Sequence, residues 1–431
     1  MALFSHIQQA HIDSYYVAST ASIPDWPALK GNTEADVCVI GGGLAGISTA
    51  LNLAERGMSV VLLEGSKLGH AASGRNGGQV INGYACDIDT LRQALGDDAA
   101  KAAWDMSLEA IDIIDERVRR HVIDCDWQRG HVVAAVKAKK FDELASWKEE
   151  AESRYGYHHY QLWDQATLRQ HLASPRYAGG LYDSQGGHIH PLKYALGLAQ
   201  AAQSAGVRIF ENSPVDRIDQ GSKPAAHTAA GSVRCKQLVL AANVFVGKLA
   251  PQLESRIMPV GTYCITTEPL GVERARSLID SNFAVADNQF VLDYYRLTAD
   301  HRLLFGGKVS YSGLPPPNLK QAMRADMLRV FPQLDDVKID HGWGGFVDIT
   351  MNRAPHWGRL APNIYFAQGF SGHGVAVTGL AGKLIAEAIA GESERFELFG
   401  KINHRPFPGG RLLRMPSLVL GMAWYRMLDY L

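Results

Sequence analysis

The stretch VCVIGGGLAGISTALNLAERGMSVVLLEG, residues 37–65, decides the fold. Its first four residues are apolar and have the length of a buried parallel strand. Gly41, Gly43 and Gly46 follow as G-x-G-x-x-G, and apolar residues then recur at helical spacing up to Gly57, a residue type that commonly ends helices. The order of strand, glycine turn and helix is typical of a dinucleotide-binding unit.

A second apolar run, Val60 to Leu63, predicts the next strand, which ends in Glu64. Glu64 lies 64 − 41 = 23 residues after Gly41, close to the roughly 20 residues at which an acid accepts ribose hydroxyls. The N–H groups at the helix start, around Leu44 and Ala45, would face phosphate oxygens. An acid at this position favours a free 2′-hydroxyl, which argues against NADP and leaves NAD and FAD open.

Composition limits the class of protein. A chain of 431 residues suits two domains, and its 43 basic and 44 acidic residues argue against nucleic acid or an anionic membrane as the main partner. The five cysteines are scattered without metal-ligand spacing, so no metal site is predicted. We expect a cytoplasmic protein without a transmembrane segment, because no signal-like N-terminus and no apolar run of roughly 18 residues occurs.

Two further glycine-rich segments separate FAD from NAD. GSKLGHAASGRNGGQV, residues 65–80, follows the acid directly, and GFSGHGVAV, residues 369–377, precedes a long apolar helix pattern. A flavin ring must meet backbone N–H groups well away from the adenine, whereas a dehydrogenase that uses NAD has no need of a second such loop. A helix start at the third loop would stabilise negative charge on a reduced flavin ring.

Together these loops resemble the FAD-dependent amine and amino acid oxidases of the D-amino acid oxidase, glycine oxidase and sarcosine oxidase type, over about residues 36–390. SGRNGGQVINGY, residues 73–84, is most similar to the branch that oxidises γ-glutamylputrescine and related γ-glutamylated polyamines. The resemblance implies an α/β fold, in which a discontinuous Rossmann-like FAD-binding domain is interleaved with a mainly antiparallel-sheet substrate domain.

The alternation of helix and strand patterns predicts the domain boundaries. Residues 1–35 form an N-terminal arm, and the FAD-binding domain comprises 36–90, 185–245 and 340–395. The substrate domain comprises 91–184 and 246–339. The C-terminal tail is 396–431, whose apolar end, residues 416–431, we interpret as a helix that docks on the protein or on a second subunit.

The resemblance also implies the site. The cofactor is expected to be non-covalent FAD, because the stretch DITMNRAPHWG, residues 348–358, holds no cysteine where sarcosine oxidases bond their flavin. The cofactor-binding residues expected from the glycine motifs and the resemblance are Gly41, Gly43, Leu44, Ala45, Gly46, Glu64, Ser73, Arg75, Asn76, Gly78, Gln79, Val215, Ala242, Arg353, Gly372, His373, Gly374 and Val375. The candidate catalytic residues are Lys308, His373 and His190, of which Lys308 matches a lysine that promotes oxygen reduction in sarcosine oxidases.

Two departures from sarcosine oxidases indicate the substrate. Those enzymes carry a lysine where this chain has Ala376 and an arginine where it has Gln79, and a buried carboxylate without a cation would be poorly bound. We therefore expect a small primary amine such as γ-glutamylputrescine, which hydride transfer to the flavin N5 and reoxidation by molecular oxygen would convert to aldehyde, ammonia and hydrogen peroxide. The alternatives are a dehydrogenase of the same fold, which passes electrons to a quinone or protein, and a non-catalytic flavoprotein. The sequence sets no oligomeric state.

Overall fold

The computed structural model describes residues 10–289, 291–310 and 317–408, and the side chains of Lys308 and Ser310 lie outside that description. The C-terminal stretch 416–431, for which a docking helix is predicted, also lies outside it. The strands of the described part are β1 (Gly31–Ile40), β2 (Val60–Leu63), β3 (Gln79–Val80), β4 (Gln128–Ala135), β5 (Tyr160–Asp164), β6 (Gly179–His188), β7 (Arg208–Phe210), β8 (Val215–Asp219), β9 (Ala225–Thr228), β10 (Gly231–Leu240), β11 (Met258–Thr267), β12 (Ala284–Asp287), β13 (Tyr294–Leu297), β14 (Leu303–Ser310), β15 (Ile339–Ile349), β16 (His356–Ala361) and β17 (Ile364–Gln368).

The α-helices of the same ranges alternate with these strands, which fits the periodicity of the sequence. They are α1 (Tyr15–Ala18), α2 (Leu44–Glu55), α3 (Ile88–Leu95), α4 (Asp97–Arg120), α5 (Ala138–Tyr155), α6 (Gln165–His171), α7 (Pro191–Ser204), α8 (Pro251–Glu254), α9 (Val272–Leu278), α10 (Leu319–Val330), α11 (Gly374–Ala390) and α12 (Glu394–Gly400).

The first sheet runs in the order β16-β17-β10-β1-β2-β7, with β8 and β9 attached beside β10. The strands from β17 to β7 are parallel, and only the edge strand β16 joins this path antiparallel. In β1, Val37 and Val39 pack into the core that contains the helices, while Cys38 and Ile40 pack into the core on the opposite face. Both faces of the sheet are therefore covered, as a doubly wound sheet requires.

Helices α2, α7 and α11 cover one face of this sheet, and glycine sets how closely two of them pack. A Cβ atom at Gly382 of α11 would lie 2.6 Å from the backbone nitrogen of Thr49 in α2. The hydroxyl of Ser48 donates a hydrogen bond across the same contact to the Gly379 carbonyl, at 3.0 Å. The two helices that begin at the first and third glycine loops are thus fixed side by side.

The second sheet runs β15-β11-β14-β13-β12-β4-β6-β3, with β5 paired to β6. All its pairs are antiparallel except β4 with β12. The fold class predicted from the sequence, a Rossmann-like α/β sheet interleaved with a mainly antiparallel sheet, is confirmed. β3 lies in the loop segment 65–80, so that segment leads from the first sheet directly to the second.

The sheets differ from the predicted domain ranges at three places. β15 lies within 340–395 but is hydrogen-bonded in the second sheet, because its residues pair along the full length of β11. β6 likewise carries residues 185–188 in that sheet, and β1 begins at Gly31 since Gly31–Ala35 pairs with the start of β10. We propose boundaries near 30, 190 and 350 instead of 36, 185 and 340.

The helices of the described residues were compared with the requirements of a membrane span. No single one of them is long and apolar enough to cross a bilayer. Taken together, helices α11 and α12 have the length and apolar composition of a membrane span, but the chain bends by 118° between them.

Candidate active site

The first glycine turn brings the end of β1 against the start of α2. Gly41 has φ +114°, and a Cβ atom there would lie 2.4 Å from the carbonyl oxygen of Ala241. A Cβ atom at Gly46 would lie 1.9 Å from the carbonyl oxygen of Gly41. Neither position can hold a side chain, so the glycines produce the close packing of strand and helix that the fingerprint predicts.

Glu64 closes this turn from the end of β2. Its carboxylate accepts hydrogen bonds from the backbone N–H of Gly42 at 2.6 Å and of Ser66 at 2.8 Å. Burial raises the pKa of Glu64, and the two backbone donors counteract that shift in part. The carboxylate is thus fixed at the strand end where an acid is expected to accept ribose hydroxyls.

A cleft begins at this turn, with an empty volume of about 1290 Å³ that includes open solvent. The predicted cofactor residues that line it are Gly41, Gly43, Leu44, Ala45, Glu64, Ser73, Asn76, Val215, Ala242, Gly372, Gly374 and Val375. The other predicted residues, which do not line it in the described part of the chain, are Gly46, Arg75, Gly78, Gln79, Arg353 and His373.

Asp348, at the end of β15, also lines the cleft and was not predicted. Its buried carboxylate accepts a hydrogen bond from the backbone N–H of Gly369, and its carbonyl oxygen accepts one from the N–H of Ser371 at 3.1 Å. Burial raises the pKa of Asp348 to about 6. The residue therefore holds the turn that starts α11. The only sequence signal was an acid between the aliphatic residues Val347 and Ile349.

Helix α11 begins at the cleft without a side-chain cap. His373 stands at the cap position and its side chain accepts no hydrogen bond from the helix, while Gly374 and Val375 line the cleft. The N–H groups of this first turn and the helix dipole favour a negatively charged or electron-rich group at this position.

The second glycine loop is fixed by its own side chains. The hydroxyl of Ser73 accepts a hydrogen bond from the Leu44 N–H at 2.9 Å, which caps α2 from outside. The amide of Asn76 donates to the carbonyl of Ala72 at 2.8 Å and accepts from the Gly78 N–H at 2.8 Å. Gly78 has φ +76°, where other residues are strained.

Arg296, in β13, ties this loop to three other segments and was not predicted. Its guanidinium donates to the carbonyl oxygens of Gly77 at 2.9 Å, Ile189 at 3.0 Å and Leu297 at 3.2 Å. It also donates to the hydroxyl of Tyr16 at 3.3 Å. The side chain is buried, and no acid of the described ranges forms an ion pair with it. Apart from Leu297, its partners are distant in sequence, so no local pattern reveals these contacts.

Gln79 and His373 lie behind the cleft, in a neutral hydrogen-bonded layer. The amide of Gln79 donates to the Val285 carbonyl at 2.8 Å, and its oxygen lies 3.2 Å from Nε2 of His131. Nε2 of His373 lies 2.8 Å from the Asn82 carbonyl oxygen, so that nitrogen carries the hydrogen and donates. Burial lowers the pKa of His131 to about 3 and also lowers that of His373. Both imidazoles are therefore neutral near pH 7.

His190 makes the contacts of a helix cap and does not line the cleft. Its Nδ1 accepts from the Lys193 N–H at 3.1 Å at the start of α7, and its Nε2 lies 3.0 Å from the hydroxyl of Ser19. Because both ring nitrogens have structural partners, the geometry gives the predicted catalytic role no support. Arg353 lies in a turn with φ +58°, and Lys308 lies in β14 with its side chain outside the described part.

The arrangement was then compared with known proteins. Residues 36–388 match the model of the DAO family, described as FAD dependent oxidoreductase. The chain belongs to the DAO family of FAD-dependent oxidoreductases. FAD is therefore the cofactor of this family member, and the cleft fits it because glycine turns and an uncapped helix start lie along its length. None of the five cysteines, all in the described part, lines the cleft, so it offers no thiol for a covalent bond.

Two curated relatives of this DAO-family chain match over almost its whole length. It is 46% identical over 422 residues to the gamma-glutamylputrescine oxidoreductase of Escherichia coli, covering 98% of this chain and 99% of the relative. It is 45% identical over 426 residues to a probable oxidoreductase, OrdL, of Haemophilus influenzae, covering 98% of each chain.

Several solved structures share the fold at low sequence identity. A glycine oxidase from Bacillus cereus superposes with a TM-score of 0.70 at 19% identity, covering 86% of this chain and 99% of the other. An L-proline dehydrogenase from P. horikoshii superposes with a TM-score of 0.69 at 18% identity, covering 86% and 98%. These similarities bear on the fold alone.

Proposed function

We propose that this protein is an oxidase of a primary amine and that its substrate is γ-glutamylputrescine or a related γ-glutamylated polyamine. The observation that carries the proposal is the 46% identity, over 98% of the chain, to a gamma-glutamylputrescine oxidoreductase. The net reaction consumes the amine, oxygen and water, and gives the aldehyde, ammonia and hydrogen peroxide. The use of oxygen and a cytoplasmic location remain predictions.

The side chains around Gln79 and Ala376 support a substrate without a carboxylate beside its reacting amine. Gln79 is engaged with the Val285 carbonyl and with the neutral His131, and Ala376 is buried within α11. Neither position supplies a cation, and a carboxylate placed there would lose its hydration without gaining an ion pair. An alkylamine loses much less on entering the same place.

The residues of this chain contribute to the reaction by orienting the substrate and the cofactor in a site of fixed geometry. FAD, when bound, supplies the hydride acceptor at its N5 atom. Asp348 holds the Gly369–Ser371 turn, and through it the start of α11, whose dipole favours the negative charge that reduction creates. Arg296 and Asn76 keep the loop from Ser73 to Gln79 in one conformation, so the part of the cleft that Ser73 and Asn76 line is fixed before a ligand binds.

An anaerobic flavin-reduction screen tests the proposal. The purified holoprotein is mixed with γ-glutamylputrescine, putrescine, glycine or sarcosine, and the loss of flavin absorbance is followed. We expect reduction to be fastest with γ-glutamylputrescine, and peroxide to form once air is admitted. Reduction by glycine or sarcosine alone would overturn the substrate class. Reduction without peroxide would assign the protein to the dehydrogenases, and no reduction by any amine would leave a non-catalytic flavoprotein.

A further inference from the structure

Arg75 lies at the edge of the cleft with a guanidinium that lacks an acidic partner. Its backbone is flanked by Ser73 and Asn76, which line the cleft. Within the described part of the chain, its guanidinium forms hydrogen bonds only with the Gly344 carbonyl at 3.4 Å and the ring of His70 at 3.0 Å. Among the described residues no carboxylate forms an ion pair with it, and its Nε atom is buried without a hydrogen-bond partner.

Two imidazoles complete a basic cluster around this side chain, which we define as Arg75, His70 and His11. His70 lines the cleft, and the rings of His70 and His11 lie 6.1 Å apart. Nε2 of His11 is a second buried nitrogen without a partner. Burial and the neighbouring Arg75 lower the pKa of both histidines to about 4, and burial lowers that of Arg75 to about 10. The only full charge of the cluster near pH 7 is therefore that of Arg75.

A half-buried cation with unused donors is costly unless a ligand supplies the missing anion. A planar guanidinium suits a carboxylate, which it can bind through two parallel hydrogen bonds. A γ-glutamylated amine carries such a carboxylate at the end far from its reacting amine. We propose that the basic cluster binds the α-carboxylate of the substrate's γ-glutamyl group, with Arg75 as the residue that selects γ-glutamylated amines; this inference rests on the proposed function.

The length of the substrate separates its two ends. The path from the reacting carbon of γ-glutamylputrescine to its α-carboxylate has the length of three extended residues, roughly 11 Å. The carboxylate that Arg75 binds is therefore remote from the reacting amine, and the place of reaction itself needs no cation.

The test uses a ligand that cannot react. The holoprotein is titrated calorimetrically with N-butyl-γ-L-glutamylamide, which keeps the glutamyl group but lacks the terminal amine, and with N-butylacetamide, which lacks both. We expect Arg75→Gln to weaken binding of the glutamyl ligand at least about 10-fold, the loss of a charge-assisted contact, relative to the acetamide. Arg75→Lys keeps the positive charge but not the two parallel donors of the guanidinium, so it should lose less affinity for the glutamyl ligand. Unchanged affinity of the glutamyl ligand in both variants would overturn the inference.

Two controls accompany this test. The first separates the effect of Arg75 from that of a neighbouring cation, and the second shows whether the anion at the cluster belongs to the substrate or to the cofactor. Lys67→Gln removes a cation that lies near the cluster but is already paired with Glu211 and Asp25, and it should leave the affinity ratio of the two ligands unchanged. FAD titration of the apoprotein tests whether the cofactor's diphosphate is the source of the anion. An Arg75→Gln variant that loses FAD affinity but keeps its preference for the glutamyl ligand would assign the cluster to the cofactor and refute the proposal.

Failure of this inference and failure of the proposed function give different results, because ligand binding is measured without turnover. If the glutamyl ligand binds in an Arg75-dependent manner but γ-glutamylputrescine does not reduce the flavin, the carboxylate site stands and the proposed oxidation is wrong. If γ-glutamylputrescine reduces the flavin and Arg75→Gln lowers kcat/KM for it no more than for N-acetylputrescine, the proposed oxidation stands and the assignment of Arg75 is wrong.

Discussion

The guanidinium of Arg296 lies 2.9 Å from the carbonyl oxygen of Gly77, and the same group reaches the carbonyl of Ile189 and the hydroxyl of Tyr16. One buried side chain therefore connects the N-terminal arm, the second glycine loop, the start of α7 and the second sheet. Two further hydrogen bonds join the same segments, from the Tyr16 hydroxyl to the Asn76 carbonyl at 2.6 Å and from the Ile189 N–H to the Gly78 carbonyl at 2.8 Å.

Replacing Arg296 by Met should lower the free energy of unfolding by about 3 kcal/mol, because several buried acceptors would lose their donor. FAD affinity should fall as well, since the loop from Ser73 to Gln79 loses its fixed conformation. Urea unfolding and flavin titration measure the two effects. Arg217→Met, at an exposed arginine, should stay within about 0.5 kcal/mol of wild type. Equal stability of the two variants would contradict the role of Arg296.

Gly46→Ala should abolish stable FAD binding, because its Cβ atom would lie 1.9 Å from the Gly41 carbonyl oxygen and would force α2 away from the turn. Gly379→Ala is the matched helical control, as its Cβ atom would meet only Ile113 at 3.4 Å. The control should bind FAD normally and be as stable as wild type or more stable, by up to about 1 kcal/mol from helix propensity. The flavin-to-protein absorbance ratio after purification checks both variants.

Asp348 should make the protein less stable as the pH rises from about 4 to about 6. Its folded pKa of about 6 lies above the ordinary value of 3.8, so the folded state binds more protons than the unfolded state in this window. This contribution to the free energy of unfolding, about 3 kcal/mol, is fully present below a pH of about 4 and is lost above a pH of about 6. Asp348→Asn should remove this part of the slope in urea unfolding. Glu64 also has a raised pKa, so the pH slope of the wild type must be compared with that of the Asp348→Asn variant.

His190→Ala should lower the free energy of unfolding by about 1 kcal/mol, the usual loss of a helix cap. The rate of anaerobic flavin reduction should change by less than about three-fold, because the side chain caps α7 outside the cleft. Stopped-flow reduction with γ-glutamylputrescine measures that rate. A loss of two orders of magnitude or more, which general acid–base residues commonly show, would restore the catalytic interpretation.

The parts of the candidate site that local geometry forms could be predicted from the sequence. Gly41, Gly46 and Glu64 lie in one continuous strand–turn–helix–strand segment, so their spacing alone determined where they would meet. Gly372 and Gly374 were found for the same reason at the start of α11. The loop that carries Ser73 and Asn76 was recognised through its glycines and its family resemblance.

The parts it did not predict depend on contacts between distant segments. Asp348 contacts a turn about twenty residues later, and Arg296 meets residues that precede it by 107 to 280 positions. For His190, two histidines separated by one residue suggested a site, whereas the helix that begins at Pro191 makes the residue a cap. β15 pairs with β11 in the second sheet although the predicted ranges assign most of it to the FAD-binding domain, since a strand's hydrophobic pattern does not specify which sheet it joins.

The parallel strands beside the cleft come from residues 31–40, 231–240 and 364–368. During synthesis, the last of these leaves the ribosome only after most of the polypeptide has been made, and until then Leu238–Leu240 lacks the neighbour that β17 provides. The cleft, which Ala367 of β17 also lines, is therefore incomplete until late in synthesis. Until then the backbone edge of Leu238–Leu240 is unpaired, and such an edge can pair with another chain.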